Sequence, residues 1–250
     1  YDALLPLRQL GQPSAVPVIV DIDEKTLARY GQWPWPRYLV ADLLEKLNSK
    51  GVASIGLDIM FAEPDRTSPA RMREDLHRDR GVSLEIAGLP ASMADYDRLL
   101  AMALRETPVV LGAFARYGGE PYHGAMPHAP AMVARGGKDA PPYDRYLPIA
   151  PSAVLPLPQF FAEAPVGFVN VSPDADGLVR QIPLLLKFGD AVYPSLALQA
   201  LMRALGTDAL RLYTGPDGLF SVAAGEFKIP VSREGYMLVP FQGGRRTYRY

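Results

Sequence analysis

No cysteine occurs among the 250 residues, which excludes disulfides, thiolate metal sites and a cysteine nucleophile and leaves the redox compartment open. Histidine is scarce too: His77, His123 and His128 all fall in segments broken by charge, proline or glycine. Neither a G-x-S-x-G elbow nor a phosphate-cradling glycine loop appears, so a catalytic triad and a P-loop are disfavoured. No apolar run approaches the ~20 residues that a membrane-spanning helix needs, and no basic, apolar leader opens the chain. An excess of one charge is missing as well. The 26 Lys and Arg face 27 Asp and Glu, without the basic face that nucleic acid requires, so nucleic acid is not an expected partner. The chain begins on Tyr1 rather than Met, which suggests a segment cut from a longer protein.

What is present is the composition of a folded domain, with 48% hydrophobic and 21% charged residues. That length can bury a sizeable core, and a single domain is expected. After an amphipathic lead-in, "VPVIVD" predicts a β-strand over Val16 to Asp21. In "RYLVADLLEKLNSKG" the residues Leu39, Val40, Leu43, Leu44 and Leu47 form one helical stripe, with Pro36 at its start and Gly51 past its end. "VASIGLDIMF" then predicts a second buried strand running into Asp58. Strand, helix and strand in this span predict a βαβ unit with parallel strands. An interleaved-charge stretch, "ARMREDLHRDRG", marks a solvated insertion at about 66–93 with one short helix.

A second helix is expected over Ala94 to Glu106, leading into a strand at "VVLGAF". The proline- and glycine-rich run at 116–158 reads as an irregular surface excursion. "VGFVNV", the turn "SPDADG" and "LVRQIPLLLKF" predict a hairpin; "YPSLALQALMRALG" predicts a helix with Pro194 at its start; and the three runs of "LFSVAAGEFKIPVSREGYMLVPFQ" predict a β-meander. The expected fold class is α/β, with a mixed β-sheet that is parallel early and antiparallel late and helices packed on it.

Chemistry concentrates on acids at the predicted strand ends: Asp21 and Asp23, then Asp58, Glu63 and Asp65. Parallel strands would bring these carboxylates to one edge, where their repulsion calls for a cation or a basic side chain. Mg or Ca held by Asp21, Asp23 and Asp58, or salt bridges from these acids to Arg37, are the candidate compensations; the plainer reading pairs Asp21 with Arg37 and leaves the rest as solvated loop acids. Asp23 is also placed to cap the following turn. In "GQWPWPR" each tryptophan precedes a proline, which predicts extended geometry with Trp33 and Trp35 on opposite sides, covering the core or walling a small-molecule site. "VIVDIDEKTL" resembles the first motif of haloacid-dehalogenase-type phosphatases, which implies an Mg-dependent phosphohydrolase using Asp21 and Asp23. Here, however, Lys25 stands in the threonine's place and Thr26 comes one residue late. The later "SPDADG" fails as a calcium loop because Pro183 falls where a bidentate glutamate is required. A tight turn with Gly177 at positive φ is the simpler reading.

Taken jointly and in order, "VIVDIDEKTLARYGQWPWPR", "GLDIMFAEPD", "GFVNVSPDADGLVRQIPLLL" and "YPSLALQA" resemble the type-two CHASE domain, an extracytoplasmic sensor module of bacterial receptors. The resemblance maps the pattern's residues onto Asp21, Asp23, Trp33, Trp35, Arg37, Asp58, Glu63 and Asp65, and its later turn onto Asn170, Asp174, Asp176, Gly177 and Arg180. It transfers no catalytic role. It implies a periplasmic segment of an inner-membrane protein that senses an unidentified small molecule or physical stimulus. It further implies flanking transmembrane helices, a homodimer as candidate assembly, and a cytoplasmic output domain that is a diguanylate, adenylate or guanylate cyclase or a kinase.

Overall fold

The computed structural model describes residues 17–171 and 173–241. The described residues divide into two compact units, one holding 17–35 with 239–241 and the other lying between Pro36 and Leu238. The lead-in, Val16 and the terminal "GGRRTYRY" lie outside the described residues.

In the first unit, helix α1 (Glu24–Tyr30) follows directly on Asp23, whose side chain caps it. The strand predicted over Val16 to Asp21 is corrected: residues 17–23 form no strand beyond a single bridge position at Val18. Val18, Ile19 and Val20 stay 58%, 41% and 53% exposed. β-propensity alone did not make a strand here, because a strand is stabilised by what packs on and pairs with it.

The second unit opens with α2 (Arg37–Asn48), whose Val40, Ala41 and Leu44 are buried. It continues through β1 (Ile55–Leu57), α3 (Pro69–Arg80), α4 (Tyr96–Glu106) and β2 (Val109–Arg116). The parallel partner of β1 is β2, in register Ile55 to Val109, so the predicted βαβ pairing with residues 16–21 is replaced by a crossover that carries α3 and α4. Val109, Val110 and Leu111 are fully buried, as a strand covered on both faces must be. Helix α3 buries nothing, in keeping with its interleaved charges.

The 116–158 segment is not an irregular excursion. It supplies β3 (Ala131–Gly136), β4 (Ile149–Ala150) and β5 (Ser152–Val154), which pair with strands elsewhere in the chain. Proline is excluded only from central ladder positions, so short strands fit between the prolines. After α5 (Pro158–Phe161) comes β6 (Val166–Phe168). It runs parallel to β2 and does not form the predicted hairpin with the "LVRQIPLLLKF" segment. That segment forms β7 (Gln181–Pro183) and β8 (Leu185–Phe188), and the hairpin actually present is β8 with β9 (Ala191–Pro194).

Pro194 ends β9 rather than starting a helix. The cap of α6 (Leu196–Ala204) is Ser195, whose side chain accepts from the Leu198 N–H. Strand β10 (Ala209–Gly215) was not expected. It pairs with β11 (Gly218–Ala224), which pairs with β12 (Phe227–Pro230), whereas β13 (Tyr236–Leu238) leaves the predicted meander to pair with β7.

Alternation along β1 sets the layers. Ile55 and Leu57 join the core that α2 and α4 cover, while the intervening Gly56 faces α6 through Leu196 and Ala200. At Gly167 a Cβ atom would lie 2.6 Å from the Leu196 Cα, so this helix start rests directly on the backbone of β6. A second core, with Leu198, Met202, Leu210, Leu212 and Val222, fills the space between α6 and the β10–β11 pair. The fold is α/β with mixed parallel and antiparallel strands and helices packed against the sheets. Among the described residues no helix is long and apolar enough to cross a membrane.

Candidate functional site

The polar centre of the second unit lies where α2, the loop after β1 and the start of α4 meet. Pro36, ahead of α2, has no side chain with which to cap it. The first helical N–H, that of Arg37, instead donates to Asp65 Oδ2 at 2.7 Å. A carboxylate supplied from 28 residues away thus serves the helix N-terminus, where negative charge is favoured. Asp65 is itself held in place, because its Oδ1 accepts from the Thr67 N–H at 2.8 Å and the Thr67 hydroxyl at 2.7 Å. Its own N–H donates to Asp97 Oδ2 at 3.0 Å.

Asp97 sits in the first turn of α4, one turn before Leu100 on the buried stripe. The Arg37 guanidinium reaches it: Nε lies 3.7 Å from Asp97 Oδ1, Nη2 donates to the Glu63 carbonyl at 3.2 Å, and the group rests 4.6 Å above the Phe61 ring. Arg37, Asp65 and Asp97 are 8%, 5% and 6% exposed. At 3.7 Å the ion pair is not a hydrogen bond, and Arg37 Nε and Asp97 Oδ1 are buried without hydrogen-bond partners. Burial is the largest influence on both groups. It pushes the Asp97 carboxyl above the usual carboxylate range, against the opposing effects of the Asp65 N–H and Arg37. It pulls the Arg37 guanidinium down, against Asp65 and Asp97.

An open cleft of about 470 Å³ runs along this network, with Asp65, Ser68, Asp95, Asp97 and Leu157 in its wall. The buried Ser68 hydroxyl accepts from the Tyr96 N–H at 3.0 Å, which ties the loop to α4. The network is a buried charge lock joining three segments, with one carboxylate oxygen left without a donor.

Of the acids predicted to converge, the structure brings only Asp65 into this network. Glu63 contributes its carbonyl, while its exposed carboxylate pairs with Arg66 at 3.2 Å. Asp58 is exposed beyond the carboxyl end of β1, and Asp21 is exposed in the first unit. The ion-pair partner of Arg37 is Asp97, where Asp21 had been expected. Among the described residues no group of three or more His, Asp or Glu side chains is placed to hold a metal ion. Asp23 Oδ1 accepts from the Thr26 N–H at 2.9 Å and the Thr26 hydroxyl at 2.6 Å, which holds its carboxyl below its ordinary range. The threonine that sits one residue late for a phosphatase motif is at the spacing of a helix cap.

Trp33 and Trp35 are not on opposite sides. Their rings meet edge-on with centroids 5.8 Å apart, beside a cis Trp33–Pro34 bond. Tyr30 lies 5.6 Å from Trp35. Trp35 is 6% exposed and donates its indole N–H to the Gly31 carbonyl, whereas Trp33 is 38% exposed.

The later turn has its own order. Gly177 has φ +82°, a conformation that favours glycine, and its N–H donates to the Asp174 carbonyl. Arg180 forks across Asp174 Oδ2 at 2.8 Å and Asp176 Oδ1 and Oδ2 at 2.8 and 2.6 Å. The bonds from Arg180 pull the Asp176 carboxyl down to about 2. Just upstream, the buried Asn170 amide accepts from the Ala115 N–H and donates to its carbonyl, both at 2.8 Å. A side chain thereby extends the ladder of β2 beyond the end of β6.

Asp97 was missed as a site residue, although a signal for it exists. In "DYDRLLAMAL" the positions Asp97, Leu100 and Leu104 fall at i, i+3 and i+7, which puts an acid on the apolar stripe. Phe61 and Ser68 carried no comparable signal.

Fold and site define an α/β module organised around a buried charge lock. The CHASE2 domain model matches residues 1–250, so the chain belongs to the CHASE2 family, the extracellular sensory domains of signalling receptors. No curated protein and no solved structure matches the chain.

Proposed function

We propose that this chain is the stimulus-sensing periplasmic domain of a transmembrane bacterial receptor, and that it regulates a cytoplasmic cyclase or kinase across the inner membrane. The observation that carries this reading is the family match along the whole chain. The buried Arg37–Asp97 pair supports it. A desolvated pair with unmet hydrogen-bonding groups is costly to keep for stability alone, and it binds three segments in one discrete arrangement whose population a stimulus could shift. A homodimer would give that shift a second subunit to act on, and the flanking membrane helices would transmit it.

The test uses the absence of cysteine in this chain. Glu226→Cys, at the exposed turn between β11 and β12, is introduced into the full-length protein and intact cells are treated with a membrane-impermeant maleimide. Labelling of this domain in intact cells is expected; labelling only after lysis would place the domain on the cytoplasmic side and end the receptor reading.

A further inference from the structure

We infer that the cleft beside Asp97 is the sensor's ligand site, and that it takes a linear organic cation bearing a primary ammonium group. The inference rests on the sensory reading of the domain and adds a ligand class to it. Four carboxylates, those of Asp65, Glu74, Asp95 and Asp97, line the cleft against one cation, Arg71. Arg71 is already met by Glu74 at 3.7 Å and Asp75 at 3.4 Å. Asp65 has both oxygens occupied by N–H and O–H donors. Asp95 spends only Oδ1, on two N–H groups at the start of α4.

The acids alone would be an ordinary solvated cluster. The second observation is Asp97: it lines the cleft, is more than nine-tenths buried, and its Oδ1, which faces Arg37 Nε only at 3.7 Å, has no hydrogen-bond donor. A buried carboxylate oxygen without a hydrogen-bond donor is costly, and a charged N–H donor at closer range than Arg37 relieves it best. Among the described residues the acids are not grouped to hold a metal ion, which favours a cation that delivers its charge on a hydrogen-bonding group. The wall formed by Leu157 and Pro158 suits a short alkyl stem. Such a ligand would compete with Arg37 for Asp97 and so act on α2, whose first residue is Arg37. Desolvation, the influence that holds the Asp97 carboxyl high, is the cost an arriving cation would offset.

The probe is putrescine dihydrochloride, titrated calorimetrically into the 250-residue chain, with sodium chloride at matched ionic strength, magnesium chloride, calcium chloride and butanediol as controls. Saturable millimolar binding of putrescine alone is expected, weakened about tenfold by Asp97→Asn, the loss of one charge-assisted contact. Asp95→Asn keeps a capping side chain at the start of α4 and is expected to weaken binding in the same direction, so it decides the matter if Asp97→Asn does not fold. No binding, equal heats from any control, or affinity unchanged in both variants would overturn the inference. A failure here leaves the maleimide result intact, so loss of the ligand assignment and loss of the receptor reading are separable.

Discussion

Two arginines in this chain each meet a pair of aspartates, and their surroundings send the acids in opposite directions. Arg180 spans Asp174 and Asp176 at a turn, with contacts of 2.6 to 2.8 Å and half of the Asp176 side chain in water. Its neighbour's carboxyl falls to about 2 because short charged hydrogen bonds are gained at little desolvation cost. Arg37 lies over Phe61 with side-chain exposure near that of a core residue, and its contact with Asp97 is 3.7 Å. There the Asp97 carboxyl rises, because the Coulomb attraction and a single N–H bond do not offset the loss of water. The same residue types thus serve as a clasp at a half-exposed turn at one place and as a desolvated internal lock at the other.

The largest effect expected is from Arg37→Ala, which leaves Asp97 charged and buried; a loss of about 3–5 kcal/mol in denaturant unfolding is predicted. A loss below that of the Arg180→Ala variant would break the comparison. The tryptophans repeat the contrast of buried and exposed partners. Trp35→Ala is expected to cost about 3–5 kcal/mol and Trp33→Ala clearly less, and equal losses in thermal unfolding would contradict their different burial.

Asp65→Ala removes the remote cap of α2, with an expected cost of about 1–2 kcal/mol, while Asp65→Asn, which can still accept from the Arg37 N–H, should recover part of it. Full recovery would mean that the charge at the helix start is immaterial.

The pH dependence sharpens the comparison further. Asp176, depressed in the fold, contributes stability that is present above its ordinary value near 3.8 and lost as pH falls toward about 2. Asp97, raised in the fold, contributes stability that is present below about 3.8 and lost as pH rises through its elevated value. Across the acid range, the stability difference between the wild type and Asp176→Asn should therefore grow with pH, and that between the wild type and Asp97→Asn should shrink. Slopes of the same sign in acid titrations of the two variants would refute the assignment. The smallest effect is expected from Arg180→Ala, and it should fade with added salt, because the Asp176 side of the fork is half exposed and such pairs are screened; a salt-independent loss would mean that the fork acts as a buried pair.

The same division governs what was legible in advance. The apolar stripe of α2 and that of α4 were plain in the sequence because helical period reports which side of an element turns inward. The Gly177 turn and the Asp23 cap were plain because both are settled within four residues. The strand at residues 16–21 failed because a run of β-branched residues, Val18, Ile19 and Val20, says nothing about whether a partner strand lies beside it. The hairpin expected of "VGFVNV" failed for a related reason: Val166 to Phe168 are buried on both faces and belong beside β2, which only the long-range register reveals. At the site, Arg37 and Asp65 were legible from their motif, but Arg37 pairs with Asp97, which no motif named, and not with Asp21.

By itself the sequence determined the α/β class, the apolar stripes of α2 and α4, the Asp23 cap, the Gly177 turn and, through the joint order of its motifs, the family. Each of these rests on spacing along the chain. The tertiary structure alone decided that β1 pairs with β2, that the proline-rich segment supplies strands, and that Arg37 meets Asp97 across 60 residues of chain. Pairing and desolvation depend on which distant segments displace water from one another, and that is a property of the packed chain rather than of any stretch of it.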